Sequence, residues 1–228
     1  MLLGTGGMVI AAGTLAFAGG AGAASNSGIN GLSKNLQDAS KITYQATYVI
    51  TSSSSPQTTM VIAQAPGKSY FKAGGGYVVS NGKKTYYCGS SGGASPTCFA
   101  ASTGNPLAGL TALFSPTTII NQLKSVQSEV AGHVAGVSVK TSSKTVAGQP
   151  SSCVAVTAPG GAQSTWCAIN GKGVLSYEKS AGNSIVLKAF TTNVPKSTFE
   201  LPSGASTVTI PGGANIPGGG SIPKIPGT

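Results

Sequence analysis

One histidine, four acidic residues and four cysteines stand out in this 228-residue chain as side chains that could carry acid–base, nucleophilic or metal chemistry. His133 lies in a weakly patterned stretch, 130–137. A hydrolase triad needs its histidine oriented by a carboxylate and set beside a nucleophile. Asp38, Glu129, Glu178 and Glu200 are too few and too scattered to build one around His133, or to supply the paired carboxylates of glycoside hydrolysis. Two motif fragments also fail on context. Pro66-Gly67-Lys68-Ser69 resembles the end of a phosphate-binding loop, but Ile62 stands where the first glycine is required. Ser69-Tyr70-Phe71-Lys72 has the S-x-x-K spacing of penicillin-interacting enzymes. On a strand, however, Ser69 and Lys72 point to opposite faces, and the S-D-N and K-T-G partners are absent. No catalytic site, cofactor or metal is expected.

The cysteines read as disulfides. Cys88 and Cys98 lie ten residues apart, and Cys153 and Cys167 fourteen apart. Three pairings are formally possible. The two local ones are favoured, because each pair flanks a Gly/Ser/Pro turn that would set two strands side by side. A four-cysteine zinc site would want a C-x-x-C pair, and there is none.

Composition restricts partners. Charged residues make up 8% of the chain and the net charge is +10, carried entirely by lysine. Nucleic-acid recognition calls for clustered basic residues, usually including arginine. Here the lysines are dispersed, apart from Lys83-Lys84. They read as solubility together with attraction to an anionic envelope surface. No nucleic acid is expected, and the protein is expected to be a monomer.

Residues 1–24 are uncharged and run through Met8-Val9-Ile10 and Leu15-Ala16-Phe17 to Ala21-Gly22-Ala23, a small-x-small cleavage pattern. They read as an export signal, with a retained anchor as the competing reading. The segment lacks a basic start and is glycine-rich for a membrane span.

Elements follow from periodicity. Leu32, Leu36 and Ala39 suggest a short amphipathic helix. Ile42 to Thr51 alternates as a strand; 58–65, 68–73, 77–80 and 84–88 follow, the last two around Asn81-Gly82. Leu107, Leu110 and Phe114 return to helical spacing. Ser115-Pro116 then opens a helix with Ile119, Ile120, Leu123 and Val126 on one stripe. Strands resume at 138–145, 152–158, 164–169, 174–179 and 184–191. Beyond Pro202, the Pro/Gly-rich 203–228 reads as a flexible tail, leaving 25–202 as a single domain.

This order of helix, meander, helical insertion and second meander resembles the LolA/LppX-like lipoprotein-carrier superfamily of bacterial envelopes. It resembles more closely its actinobacterial secreted two-disulfide relatives of unknown function. The residues that carry the resemblance include Tyr44–Ile50, Lys83–Cys88, Phe114-Ser115-Pro116, Val146-Ala147-Gly148-Gln149-Pro150, Trp166–Asn170 and Val194-Pro195 with Leu201-Pro202. The chain departs from the lipoprotein members in having no lipobox cysteine. The resemblance implies an α+β, mainly antiparallel fold: a strongly curved sheet, an incomplete barrel, with helices closing its concave side. It also implies a lipid or acyl-chain ligand held between sheet and helices, with candidate lining residues Tyr44, Tyr48, Ile50, Met60, Ile62, Ile119, Ile120 and Leu123. The same alternation is what an ordinary filled core displays. Two functional readings follow: an extracytoplasmic lipophile carrier without catalytic activity, or an envelope interaction or sensor module with a filled core.

Overall fold

The computed structural model describes residues 22–89, 95–101, 116–132 and 134–209, with side chains described from Ser27 onward. Helix α1 (Gly22–Gln37) runs into a single 3-10 turn, Asp38–Lys41. Six strands follow: β1 (Tyr44–Ser52), β2 (Ser55–Ala65), β3 (Lys68–Ala73), β4 (Gly76–Ser80), β5 (Thr85–Gly89) and β6 (Thr97–Ala101). Helix α2 (Pro116–Ala131) leads into β7 (Ser138–Val146), β8 (Gln149–Thr157), β9 (Gln163–Ile169), β10 (Leu175–Ser180) and β11 (Asn183–Thr191). A 3-10 turn at Lys196–Phe199 and β12 (Ser206–Thr209) complete the described chain.

All twelve strands form one sheet in the order β12-β6-β5-β4-β3-β2-β1-β11-β10-β9-β8-β7. The pairing of β1 with β11 joins two antiparallel meanders, and among the described strands only β12 against β6 is parallel. The architecture is the α+β curved, open antiparallel sheet with two helices that the sequence leads one to expect. Its curvature has local causes. The register shifts between Thr47 and Tyr48, between Ile50 and Ser52, and between Leu175 and Tyr177. Each shift inserts an extra residue on one strand, which bends and twists it. β7 consequently comes into contact with β11 across three intervening strands.

The Asn81-Gly82 turn forms as its chemistry dictates. Gly82 takes φ 88°, and Asn81 Oδ1 accepts hydrogen bonds from the amides of Lys83 and Lys84, each at 3.0 Å. Both local disulfides are present, and both join residues directly opposite in a hairpin: Cys88 with Cys98 across β5–β6, Cys153 with Cys167 across β8–β9.

Four differences from the sequence reading have physical reasons. α1 begins well before the apolar stripe, because a helix starts where its backbone closes and not where burial begins; Ile29 extends the stripe one turn earlier. β2 starts at Ser55 rather than at residue 58, so Pro56 lies in a strand end. β6 gives almost no alternation signal in Thr97-Cys98-Phe99-Ala100-Ala101, yet it is held by pairing to β5 and by a disulfide. β12 falls within the stretch expected to be tail, where Thr207-Val208-Thr209 suits an extended edge. The Leu107–Phe114 helical spacing and His133 lie outside the described residues. Among the described residues, no helix is long and apolar enough to cross a membrane.

Two apolar clusters fill the fold. In the first, Tyr44, Ala46 and Tyr48 of β1 meet Met60, Phe71, Val78 and Leu187, with Ala39, Val146, Ile169 and Val174 at one end. In the second, Ile29, Leu32 and Leu36 of α1 and Ile119, Ile120 and Leu123 of α2 pack on Val154, Val156, Trp166, Ala168 and Leu175. α1 lies against α2 and across β7, β8 and β9. Its C-terminal end sits tightly on the β9–β10 turn. A Cβ on Gly173 would run into the Asn35 carbonyl, Gly173 holds φ 64°, and Asn35 Nδ2 donates to the Ile169 carbonyl at 3.0 Å.

Candidate functional site

Directly opposed residues of antiparallel strands share a face, so the register defines which side chains lie together. One row crosses six strands as Val154, Trp166, Glu178, Ile185, Ile50 and Thr58. The next brings together Leu187, Tyr48, Met60 and Ala73. Beyond it run Phe190, Ala46, Ile62, Phe71, Val78, Tyr87 and Phe99. All of these belong to the face that the two helices partly cover.

The five strand residues expected to line a ligand cavity are all on this face. Tyr44, Tyr48 and Met60 are buried; Ile50 and Ile62 are half-buried. Ile119, Ile120 and Leu123 are buried as well, but in the cluster beneath the helices. The eight residues are therefore divided between two clusters, and Ile185 is the half-buried side chain packed against both. Sequence reasoning missed Ile185, Tyr87, Trp166 and Glu178. The alternation of β9 and β10 placed them on strands but could not say which face the helices cover.

Two of the expected lining residues carry structural duties. Tyr48 Oη donates to the Leu175 carbonyl at 2.9 Å, beside the register shift in β10. Tyr44 stacks on Phe190 at 6.1 Å between ring centroids. Burial pushes the Tyr44 phenol up to about 12 and that of Tyr48 well above its ordinary value, Tyr44 adding to the latter.

Among the described residues, four buried polar atoms have no hydrogen-bond partner: Ser33 Oγ, Tyr87 Oη, Trp166 Nε1 and Ser176 Oγ. Trp166 is the largest, 7% exposed, and stands opposite Glu178 in the β9–β10 ladder. Desolvation raises the Glu178 carboxyl above its ordinary value. The neighbouring indole N–H pulls the other way without reaching hydrogen-bond geometry. Among the described residues the ion pair is Lys41 with Asp38, on the surface, so Glu178 has no cation.

A depression of 480 Å3 lies elsewhere, lined by Gln57, Thr58, Thr59, Val61, Lys72 and Gly74. Val61 and Lys72 are paired on the opposite face of the sheet, and none of the expected lining residues reaches it. Among the described residues no three His, Cys, Asp or Glu side chains converge as metal ligands.

No known family model matches the chain, and no curated protein matches it. Solved structures do. MucB matches at 18% identity with a TM-score of 0.50, over 81% of this chain and 64% of the MucB chain. MucB of Pseudomonas aeruginosa in complex with MucA matches at 15% identity and a TM-score of 0.48, over 82% and 64%. A LolA superfamily protein from Nitrosomonas europaea matches at 9% identity and a TM-score of 0.29, over 74% and 96%. This chain thus spans just under two thirds of the MucB chain, and at these identities the likeness is one of fold.

Proposed function

We propose that this is an extracytoplasmic lipophile-binding protein of the carrier type, working without covalent chemistry. The observation that carries this reading is a set of half-buried apolar side chains on one sheet face. Ile50, Ile62, Ile185 and Tyr87 lie beside the first cluster, packed against it but not enclosed by it. A curved sheet cannot fill its own concavity with short side chains, and a mostly apolar hollow with few polar groups is what small lipophilic ligands occupy. Two disulfides suit an oxidising compartment outside the cytoplasm. The dispersed lysines suit an anionic envelope surface.

Native mass spectrometry of protein recovered from its own host, followed by organic extraction, tests the reading. A stoichiometric lipid-sized adduct is expected. A mass matching the bare chain, before and after incubation with envelope lipids, would end it. Ile62→Trp is the informative blocking variant, because Ile62 is half-buried and free of hydrogen-bonding duties. Tyr48→Trp would break the bond to Leu175 and destabilise the fold under any reading.

One feature favours a second reading, an interaction module for a protein or wall polymer. β7 is an edge strand whose residues 140–145 are exposed, so its outer backbone groups are open to an added strand. Lys140 and Lys144 on that strand discourage pairing with another copy of itself and so oppose indiscriminate association. Crosslinking through Thr141→Cys in envelope extracts would trap a partner under this reading and yield only monomer under the first.

A further inference from the structure

Lysines that stand far apart in the sequence are gathered by the register of the second meander. Lys140 of β7 and Lys179 of β10 share one row, which runs Lys140, Ala155, Thr165, Lys179 and Ser184. The neighbouring row on the same face holds Ser142, Cys153, Cys167 and Tyr177, and Lys144 stands two residues further along β7. Glu178 is the one acidic residue in β7–β11, and it belongs to the other face, opposite Trp166 and Ile185. Among the described residues the ion pair is Lys41 with Asp38, so none of these three lysines has a carboxylate partner there.

This face is folded inward. In a flat sheet β7 and β10 would stand roughly 14 Å apart, three strand spacings. Lys144 Nζ nevertheless lies 4.0 Å from the centre of the Tyr177 ring, and β7 touches β11. Burial falls along the fold as it opens. Ser151, Cys153 and Cys167 are buried at one end, Thr165 and Tyr177 are half-buried, and Lys140 and Lys179 are exposed at the other. The result is a cleft with the Cys153–Cys167 disulfide in its floor and a lysine on each side of its mouth.

We propose that this cleft binds a phosphate monoester, Lys140 and Lys179 pairing with its oxygens from opposite sides and the Thr165 hydroxyl donating between them. The site uses the face turned away from the helices, so it stands whether or not the other face carries a lipophile. A phosphate monoester brings a charge of about −1.5 to −2 near neutral pH, which two lysines offset. A carboxylate brings a single charge and leaves one of the two unmatched. Lysine serves phosphate as a point charge and needs no planar fork, which suits a chain without arginine. Lys144, laid over the Tyr177 ring, adds to the positive field without occupying the mouth. Two sources carry the group, a soluble polyol phosphate and a phosphatidic acid headgroup, and the test separates them.

The probes are glycerol 3-phosphate, acetate and vesicles containing phosphatidic acid, each titrated into the protein at fixed salt and near-neutral pH. Amide and lysine side-chain NMR shifts read the soluble probes, and co-sedimentation reads the vesicles. Glycerol 3-phosphate is expected to move the signals of Lys140, Thr165 and Lys179 together and saturably. It should bind at least about tenfold more tightly than acetate, the discrimination of roughly one further charge-assisted contact. Lys140→Gln and Lys179→Gln should each weaken it several-fold, while Lys68→Gln on β3 leaves it unchanged. All three lysines are exposed, and an unaltered melting temperature checks that each variant is folded. Vesicle binding that depends on Lys140 and Lys179 in the same way identifies the headgroup as the source. Binding of glycerol 3-phosphate without such vesicle binding identifies the soluble one. Equal affinity for acetate and glycerol 3-phosphate, or an equal loss in Lys68→Gln, would overturn the cleft in favour of diffuse charge. Vesicle adsorption with no saturable binding of glycerol 3-phosphate, or binding of no probe at all, would overturn it as well.

Discussion

Tyr48 shows how a residue that reads as ligand wall becomes part of the frame. Its ring belongs to the apolar face, but its hydroxyl is tied to the Leu175 carbonyl beside the register shift in β10. Tyr48→Phe should therefore cost about 1–3 kcal/mol, because the Leu175 carbonyl is left buried without a donor. Urea unfolding would measure it, and a loss below about 0.5 kcal/mol would mean the carbonyl finds another partner. Gly173 makes a sharper case. Its positive φ and its contact with Asn35 leave no room for a Cβ, so Gly173→Ala should destabilise by about 2 kcal/mol or more as α1 is pushed off the turn. The tyrosines add a pH signature. Tyr44 and Tyr87 are raised to about 12 and Tyr48 well above its ordinary value, all chiefly by burial. These phenols prefer to stay protonated in the folded state. Their contribution is complete below the unfolded value near 10 and is lost as pH rises through the folded values. Stability should fall between about pH 10 and 12, with tyrosinate absorbance lagging that of the unfolded chain.

The elements differ in how strongly they are held. Each disulfide closes a short hairpin and should contribute about 3 kcal/mol through the unfolded chain, so reduction should lower the melting temperature and denaturant midpoint together. β12 is the opposite case. It is four residues long, Ser206, Thr207 and Val208 are exposed, and Val208 stands 45% open to solvent. It is held by parallel pairing to β6, and ending the chain at Pro202 should change the melting temperature by no more than a few degrees. This contrast also marks what could be read from sequence. Strands with alternating burial, such as Tyr44-Gln45-Ala46-Thr47-Tyr48, announced themselves. So did the α2 stripe and the Asn-Gly turn. β6 did not, because its order comes from a neighbour and a disulfide rather than from its own pattern. The candidate site was legible only by face. Sequence could place Tyr48 and Ile62 on one side of a sheet, but the separation of the strand residues from Ile119, Ile120 and Leu123 depends on where α1 and α2 land. The opposition of Glu178 and Trp166 depends on a bulged register that no periodicity reveals.

At the scale of the whole molecule, the proposed carrier role separates two interactions: attraction to a charged surface and retention of a cargo. A net charge of +10 spread over dispersed lysines acts at long range and is screened within about 10 Å at 0.1 M salt. An apolar ligand on the Ile50–Ile185 face would be held by burial and be nearly indifferent to salt. Adsorption to vesicles containing anionic lipid should accordingly fade between low salt and about 0.3 M, while binding of an uncharged amphiphile persists. Cargo has a second consequence, because whatever binds only the folded state stabilises it by mass action. A ligand at one hundred times its dissociation constant adds about 2.7 kcal/mol. For a chain of this size that raises the melting temperature by about 5–10 °C. The rise should survive 0.3 M salt and vanish in Ile62→Trp, whose indole would occupy the ligand's place. If instead the rise followed the vesicle charge and disappeared with salt, the lysine surface would be the functional face and the apolar row merely the unfilled margin of the core.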